Sequence, residues 1–317
     1  MPYSILFFGT PDFAVPSLKA IVNDERFTVL GVITQPDKPV GRHAILTPSA
    51  VKIAAQKLGI KTILQPEKLT DPEFKSWIES HGRFCDLFVS AAYGKIFPQW
   101  LLDLPKHGLI NVHGSLLPRW RGAAPIHAAI AAGDRVTGVT IMKTVLAMDA
   151  GPILATSETQ IMPDDTLETL HDRLAMLGAI SLPETLFEYT EGRLAPVPQD
   201  ESRVTVCRTL TRDAGKLDWT ADAETLARLV RAYHPWPGTW TTLDGKRLKI
   251  IEARVVMSDP LFTPGKAFVL GENRPCVACD GHEAALEITK LQLEGRAPMD
   301  GQEFLKGYRE WENATLE

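Results

Sequence analysis

The chain has 317 residues, of which 44% are hydrophobic and 23% are charged, and its formal net charge at pH 7 is −5. This apolar content excludes a largely disordered chain, and the length is sufficient for two folded domains. The negative charge argues against tight electrostatic binding of nucleic acid by the chain as a whole, while a local basic patch remains compatible with it.

Neither the start of the chain nor its cysteines indicate a membrane or a metal. No apolar run approaches the roughly 18 residues of a membrane-spanning helix. Residues 1–8 lead into an apolar segment without a signal-like preamble, which predicts a cytoplasmic protein. Cys276 and Cys279 form a lone C-x-x-C pair, whereas a structural zinc site needs a second pair. We therefore expect no bound metal, and nothing in the sequence indicates an obligate protein partner.

The first 190 residues alternate apolar strands with helical segments, which is typical of βαβ units around a mostly parallel sheet. Residues 35–48 are rich in proline, glycine and charge, so we predict a loop there. The predicted strands are 4–9, 27–33, 86–91, 108–113, 136–145 and 153–161, and the predicted helices include 12–22, 49–58 and 166–189. The sequence thus predicts an α/β domain over residues 1–190.

The pattern changes after Gly192. Proline-containing residues 194–202 show little periodicity, so we interpret residues 191–206 as an interdomain linker. Beyond the linker, one helix is predicted over 223–233, followed by strands over 247–256, 265–270, 275–279 and 284–293. This pattern predicts a smaller β-rich domain over residues 207–317, in the form of a partly open barrel.

Asn111 and His113 end the predicted strand 108–113. Residues two apart on a strand project to the same side, and the carboxyl edge of a parallel sheet is where such folds place ligands. An amide and an imidazole that converge there can donate hydrogen bonds to one developing oxyanion. The alternative, a buried asparagine and histidine with satisfied hydrogen bonds, is the more frequent meaning of this spacing alone.

Asp149 lies in the sequence Met-Asp-Ala-Gly-Pro, between two predicted strands. A carboxylate there can orient an imidazole or move a proton. An aspartate before a small residue and glycine is also a common turn residue, so this signal is weak by itself. The turn at residues 8–13 lacks a full G-x-G-x-x-G, so dinucleotide binding is poorly supported.

Two motifs resemble the folate-dependent formyltransferase family. Residues 111–126 begin Asn-Val-His-Gly-Ser-Leu-Leu-Pro and match the signature of that family, and residues 148–153 resemble its second motif. This core signature is shared with glycinamide ribonucleotide and sugar-nucleotide formyltransferases. The chain resembles the branch of the family that acts on methionyl-tRNA nearly end to end. Residues 8–16, 35–42, 234–238 and 293–307 carry this resemblance.

The resemblance implies a Rossmann-like catalytic domain joined to an OB-like domain that binds tRNA. It implies 10-formyltetrahydrofolate as the formyl donor and the amino group of methionine on initiator tRNA as the acceptor, in translation initiation. It assigns catalysis to Asn111, His113 and Asp149. The segment that the resemblance expects to contact the folate comprises Ser115, Leu116, Leu117 and Pro118.

The resemblance also assigns the loop around Arg42 to the acceptor end of the tRNA. This loop departs from the family pattern, because residues 43–46 carry none of the usual lysines. A solvated surface role is the more frequent one for any single basic residue. The other candidates for phosphate contact are Arg203, Arg208, Arg212, Lys216, Lys246, Arg247 and Lys249.

Two other functions are compatible with these motifs. The same donor and catalytic residues could formylate an amino sugar nucleotide, or the chain could be a non-catalytic protein that binds tRNA or folate. The intact set of Asn111, His113 and Asp149 argues against the non-catalytic alternative. Transfer between two nitrogens needs no covalent enzyme intermediate, and Cys85, inside an apolar segment, is poorly placed as a nucleophile.

Overall fold

The computed structural model describes residues 1–41, 44–257, 262–281 and 283–317. These residues form two compact units. The first unit comprises Met1–Pro125, Val136–Gln160 and His171–Arg208, and the second comprises Ile126–Arg135, Ile161–Leu170 and Thr209–Glu317. The two short segments 126–135 and 161–170 are therefore grouped with the C-terminal residues.

The strands of the first unit are β1 (Tyr3–Gly9), β2 (Phe27–Ile33), β3 (Lys38–Val40), β4 (Ile45–Thr47), β5 (Ile63–Leu64), β6 (Leu87–Ala91), β7 (Leu109–His113), β8 (Arg121–Gly122), β9 (Val136–Lys143), β10 (Ile153–Gln160) and β11 (Val206–Cys207). The unit is built on a seven-stranded sheet with the order β10-β9-β7-β6-β1-β2-β5, and the other strands form two shorter pairs. Neighbouring strands from β5 to β7 are parallel, and β9 and β10 extend the sheet in antiparallel fashion. The predicted mostly parallel α/β sheet is confirmed.

The central strands are continuously apolar because helices cover the sheet. The side chains of residues 5–8 in β1 are fully buried, as expected for a parallel strand covered on both faces. Ser49 begins the second helix, because its side chain accepts a hydrogen bond from the backbone of Lys52. The helices are α1 (Ala14–Val22), α2 (Ala50–Lys57), α3 (Pro72–Gly82), α4 (Gln99–Leu102), α5 (Pro125–Ala132) and α6 (Leu167–Thr190).

The sequence predicts a loop over residues 35–48, but the segment contains the small hairpin β3-β4. Gly41 adopts φ of +74°, which a tight reversal requires and which glycine tolerates best. Ile45 and Thr47 are β-branched and favour extended backbone, a preference that the proline and glycine content of the segment concealed. Ile45 and Leu46 are both exposed.

The segment interpreted as a linker is attached to the first unit. Val197 and Ile153 exchange two backbone hydrogen bonds of 2.7 and 2.8 Å. Further along, β11 pairs in parallel with β8. The prolines exclude a regular ladder but leave these isolated backbone groups able to pair.

The second unit contains an antiparallel sheet, as the β-rich prediction expects. The elements of this unit are α7 (Ala223–Tyr233), β12 (Thr239–Leu243), β13 (Lys246–Met257), β14 (Ala267–Leu270), β15 (Arg274–Ala278), β16 (Ala284–Leu293), β17 (Met299–Asp300) and α8 (Gly301–Gly307). The strand order is β12-β13-β16-β15-β14, and β17 pairs with β16. The buried core of the unit includes Leu226, Val230, Leu286 and Trp311. No helix in the described parts of the chain is long and apolar enough to cross a membrane.

Candidate active site

Asn111 and His113 lie at the end of β7, inside the first unit. β7 pairs with β6 in parallel on one side and with β9 in antiparallel fashion on the other, so the strand is held from both edges. His113 is only 6% exposed. The alternation of a strand places both side chains on the same side, as the sequence predicts.

The His113 ring is fixed by a backbone carbonyl. Nε2 lies 2.9 Å from the carbonyl oxygen of Trp120. A carbonyl oxygen can only accept, so Nε2 carries a hydrogen and donates it. Trp120 has φ of +62°, a left-handed conformation that is unfavourable for a bulky side chain. With Nε2 engaged in this way, Nδ1 is the ring nitrogen that remains for a substrate.

Asp149 lies on the Nδ1 side of that ring. Its Oδ1 is 3.7 Å from His113 Nδ1, and its Oδ2 accepts a 2.9 Å hydrogen bond from the backbone of Gly122. Asp149 also adopts a left-handed backbone, with φ of +49°. At Gly151 a Cβ atom would lie 1.7 Å from the Lys143 carbonyl oxygen, so this turn accommodates only glycine there.

Ser90, on the neighbouring strand β6, orients the Asn111 amide. The serine hydroxyl donates a 2.8 Å hydrogen bond to Asn111 Oδ1, and the two residues are register partners. Because Oδ1 is engaged, the amide nitrogen with its two hydrogens points to the other side. The site therefore offers a neutral donor from Asn111, a second donor from His113 Nδ1 when that atom is protonated, and a carboxylate acceptor from Asp149.

The segment expected to contact folate is held mainly by internal hydrogen bonds. The Ser115 hydroxyl is buried and donates to the Arg119 carbonyl at 2.7 Å. The backbone of Leu117, which is also buried, donates to Thr140 Oγ1 at 3.0 Å. Leu116 and Pro118 are partly exposed, so they are the side chains of this segment that a ligand can reach. Folate contact by these four residues stays a prediction.

The cysteines do not offer a nucleophile. All four are free and buried. Burial raises the pKa of the Cys85 thiol to about 12. Burial likewise raises the pKa of Cys207, whose thiol contacts the Trp120 carbonyl oxygen. A neutral buried thiol is a poor nucleophile. Within the described residues, no cluster of three or more His, Cys, Asp or Glu side chains is arranged to hold a metal ion.

The sequence did not single out Ser90, Trp120, Arg121 or Gln199 as parts of the site. Trp120 and Arg121 belong to the motif at residues 111–126, but their roles depend on backbone geometry that a motif does not display. Gln199 donates to the carbonyl oxygens of Asp149 and Gly151, although it lies in the segment interpreted as a linker. Nothing in the local sequence around Gln199 signals this contact.

Arg42 lies outside the described residues. In the second unit, several of the other basic candidates surround one indole, and we call Lys216, Trp240, Arg247 and Lys249 the tryptophan cluster. The Arg247 guanidinium carbon lies 3.8 Å from the centre of the Trp240 ring, and Lys216 Nζ lies 5.9 Å from it. Lys249 is the register partner of Trp240 on β13.

The remaining basic candidates are distributed differently. Lys246 is exposed and faces Leu243 in the β12-β13 ladder. Arg212 adjoins the tryptophan cluster through its backbone, whose carbonyl oxygen accepts a 3.4 Å hydrogen bond from the Trp240 ring. Arg203 and Arg208 are exposed and belong to the first unit.

Two family models match consecutive parts of the chain. The model described as "Formyl transferase" matches residues 3–186, and the model described as "Formyl transferase, C-terminal domain" matches residues 209–309. The first of these contains all three side chains of the site.

Curated relatives match almost the whole chain. A protein of Geobacillus thermodenitrificans named methionyl-tRNA formyltransferase is 46% identical over 304 residues, which cover 96% of this chain and 94% of that protein. A protein of Geobacter metallireducens with the same name is 41% identical and covers 96% of both chains.

Among solved structures, the fold is similar to that of WlaRD, a sugar 3N-formyl transferase crystallised in the presence of dTDP and 5-N-formyl-THF. The TM-score is 0.66 at 16% identity, over 94% of this chain and 100% of that one. At this identity the likeness concerns the fold alone.

Proposed function

The chain belongs to the methionyl-tRNA formyltransferase family, and from this membership we propose that it transfers the formyl group of 10-formyltetrahydrofolate to the amino group of methionine on initiator tRNA. The product is formylmethionyl-tRNA, which serves translation initiation, and we accordingly place the reaction in the cytoplasm. The observation that carries the proposal is the arrangement of Asn111, His113 and Asp149 at the end of β7, in a chain matched to these enzymes over nearly its full length.

The donor set suits a carbonyl group that gains negative charge. 10-Formyltetrahydrofolate supplies the formyl carbon. The oriented amide nitrogen of Asn111 donates a neutral hydrogen bond to the formyl oxygen, and protonated His113 Nδ1 donates a charge-assisted one. Both groups are held before the reaction, Asn111 by Ser90 and His113 by Trp120, so little reorganisation is required when the charge develops.

Asp149 serves the proton transfers in this mechanism. The attacking amine must be neutral and must lose a proton, while the leaving folate nitrogen must gain one. The Asp149 carboxylate lies beside His113 Nδ1, with Oδ1 at 3.7 Å, which is slightly longer than a direct hydrogen bond and close enough to interact with an imidazolium charge. Asp149 stabilises the imidazolium and relays the proton. With the thiols buried, direct attack by the amine is the simplest route.

We assign acceptor binding to the second unit together with the loop at Arg42. The exposed cations of the tryptophan cluster can neutralise phosphates, and the indole adds a surface on which cations or bases stack. Leu116 and Pro118 offer apolar surface to the folate. No metal and no protein partner is needed for any of these steps.

A transfer assay with two acceptors tests the proposal. The full chain is supplied with 10-formyltetrahydrofolate and, in parallel, with methionyl initiator tRNA or an amino sugar nucleotide. We expect formylation of the tRNA and negligible formylation of the sugar, and the reverse result would support the sugar alternative. The absence of turnover on both would overturn the enzymatic assignment. The high identity to methionyl-tRNA formyltransferases favours the tRNA, because the likeness to the sugar enzyme concerns only the fold.

A further inference from the structure

The segment of residues 197–207, here called the bracing segment, reaches the turn that carries Asp149. The side-chain amide of Gln199 donates one hydrogen bond to the Asp149 carbonyl oxygen at 2.8 Å and another to the Gly151 carbonyl oxygen at 2.7 Å. Both amide hydrogens are therefore used within the turn. The two hydrogen bonds therefore hold the backbone on both sides of Ala150, and this backbone determines where the Asp149 carboxylate points.

Arg121 fixes the orientation of that glutamine. Its Nε donates a 3.0 Å hydrogen bond to Gln199 Oε1, and its terminal nitrogens bind both carboxylate oxygens of Glu201, at 2.7 and 3.2 Å. Arg121 is 8% exposed, so this contact is sheltered from water on the arginine side. Every polar atom of the Gln199 amide has a partner, and a flipped amide would place donors against donors.

The same segment holds the residue that fixes His113. Thr205 Oγ1 accepts a 2.8 Å hydrogen bond from the backbone nitrogen of Trp120, and the Thr205 carbonyl accepts one of 2.9 Å from Arg121. The approach is close, since a Cβ atom on Gly122 would lie 2.0 Å from the Cys207 carbonyl oxygen. Gly122 is in turn the backbone donor to Asp149. The bracing segment thus contacts the supports of both His113 and Asp149.

We propose that Gln199 is a positioning residue for formyl transfer, which acts by holding the strained Asp149 turn so that the carboxylate stays beside His113 Nδ1. This proposal rests on the proposed function, because it assigns Asp149 a part in the reaction. Asp149 has a left-handed backbone, which is uncommon for a residue other than glycine and which its surroundings must hold in place. Two hydrogen bonds from one side chain, on either side of Ala150, supply the constraint.

Gln199→Glu is the direct test, because it preserves the shape of the side chain and removes both donors. We expect kcat for methionyl-tRNA to fall about 10- to 100-fold, as is typical when a supporting hydrogen bond behind a functional group is lost, with little change in folate binding. Gln99→Glu provides the matched control. Gln99 is exposed on α4 and donates to Asp103, and its variant should keep kcat within about twofold of the wild type.

A double-mutant cycle with Asp149→Asn distinguishes positioning from a general structural role. If Gln199 acts through Asp149, then Gln199→Glu should lower kcat by less than about twofold in the Asp149→Asn background. Equal losses in both backgrounds, or a Gln199→Glu enzyme as fast as the control, would overturn the inference. Should Gln199→Glu not fold, the same cycle with Gln199→Met removes the donors without adding charge. An active wild type with an additive cycle refutes only this inference, whereas an inactive wild type refutes the proposed function.

Discussion

The Ser90 hydroxyl donates a 2.8 Å hydrogen bond to Oδ1 of Asn111 across two neighbouring parallel strands. This bond decides which end of the amide is left available to the proposed substrate. An asparagine amide is nearly symmetrical in shape, so only its hydrogen-bond partners distinguish the oxygen from the nitrogen. With Ser90 engaged at the oxygen, Asn111 is left as a donor, which is the role that the proposed reaction requires.

Removing that hydroxyl should therefore slow catalysis. We expect Ser90→Ala to lower kcat by roughly 2- to 13-fold, equivalent to a hydrogen bond of about 0.5–1.5 kcal/mol. Ser90→Thr, which keeps the hydroxyl, should retain most of the activity. Steady-state kinetics on methionyl-tRNA measures both variants, and an unaffected kcat in Ser90→Ala would show that Asn111 is oriented by other contacts.

Truncation of Asn111 itself tests the donor directly. Asn111→Ala should cost about 10²–10³ in kcat, the typical loss for one donor to a developing oxyanion. Folate affinity should change little, because the donor acts mainly on charge that appears during transfer. Kinetics combined with a folate titration separate these two quantities, and near-normal turnover would remove Asn111 from the mechanism.

Much of the fold could be predicted because its signals are local. The fully buried run at residues 5–8 indicates a parallel strand without knowledge of its neighbours, and β2 and α7 begin and end where the periodicity places them. β12 was not predicted. Trp240 and Thr242, which are partly exposed, alternate there with buried Thr239, Thr241 and Leu243, and the polar threonines conceal the buried face.

The site was predicted only as far as its side chains lie in motifs. Asn111, His113 and Asp149 are recognisable from sequence, whereas the hydrogen bonds that hold them are not. The Trp120 carbonyl binds the His113 ring from 7 residues away in sequence, and the Gln199 side-chain amide binds the Asp149 carbonyl from 50 residues away. Contacts of this kind depend on chain geometry, so neither residue type nor spacing reveals them.

The tryptophan cluster should contribute to tRNA affinity through charge. If Arg247 contacts a phosphate, Arg247→Ala should reduce the slope of log affinity against log salt by about 0.7–0.9, with a uniform loss across tRNA sequences. Arg247→Lys, which keeps the charge, should preserve the slope. Affinities measured at several salt concentrations decide the matter, and an unchanged slope in Arg247→Ala would show that the guanidinium only packs against Trp240.

Arg42 can be tested in the same way. It is the one arginine within 41–46, a stretch without the usual lysines, so its loss should remove about one phosphate contact. We expect Arg42→Ala to lower the salt slope by about 0.7–0.9. If Arg42 only stabilises the loop, the variant would bind tRNA with the slope of the wild type, and the tRNA role assigned to it would be wrong.

The second unit should lose stability in acid through Glu287. This side chain is 4% exposed and lies between Arg254, which binds both its carboxylate oxygens at 2.9 Å, and Arg274. Burial alone would raise the pKa of Glu287, but the hydrogen bonds from Arg274 and Arg254 outweigh burial and hold its pKa below the ordinary 4.5. A carboxyl whose pKa is lowered in the folded state stabilises that state above its unfolded pKa, and the stabilisation is lost as pH falls through the folded value.

Glu287→Gln isolates this contribution. At pH 7 the variant should lower the free energy of unfolding by about 1–3 kcal/mol, because two arginines lose their shared carboxylate. The difference from the wild type should shrink as pH falls below about 4.5, since the wild-type carboxyl then becomes protonated as well. Thermal unfolding of the full chain across this pH range measures the effect.

Glu252→Gln, which breaks an exposed pair with Lys290 on the same sheet, is the matched control and should change stability by less than about 1 kcal/mol. A Glu287→Gln difference that stayed constant from neutral to acid pH would show that the side chain contributes by packing and not by charge.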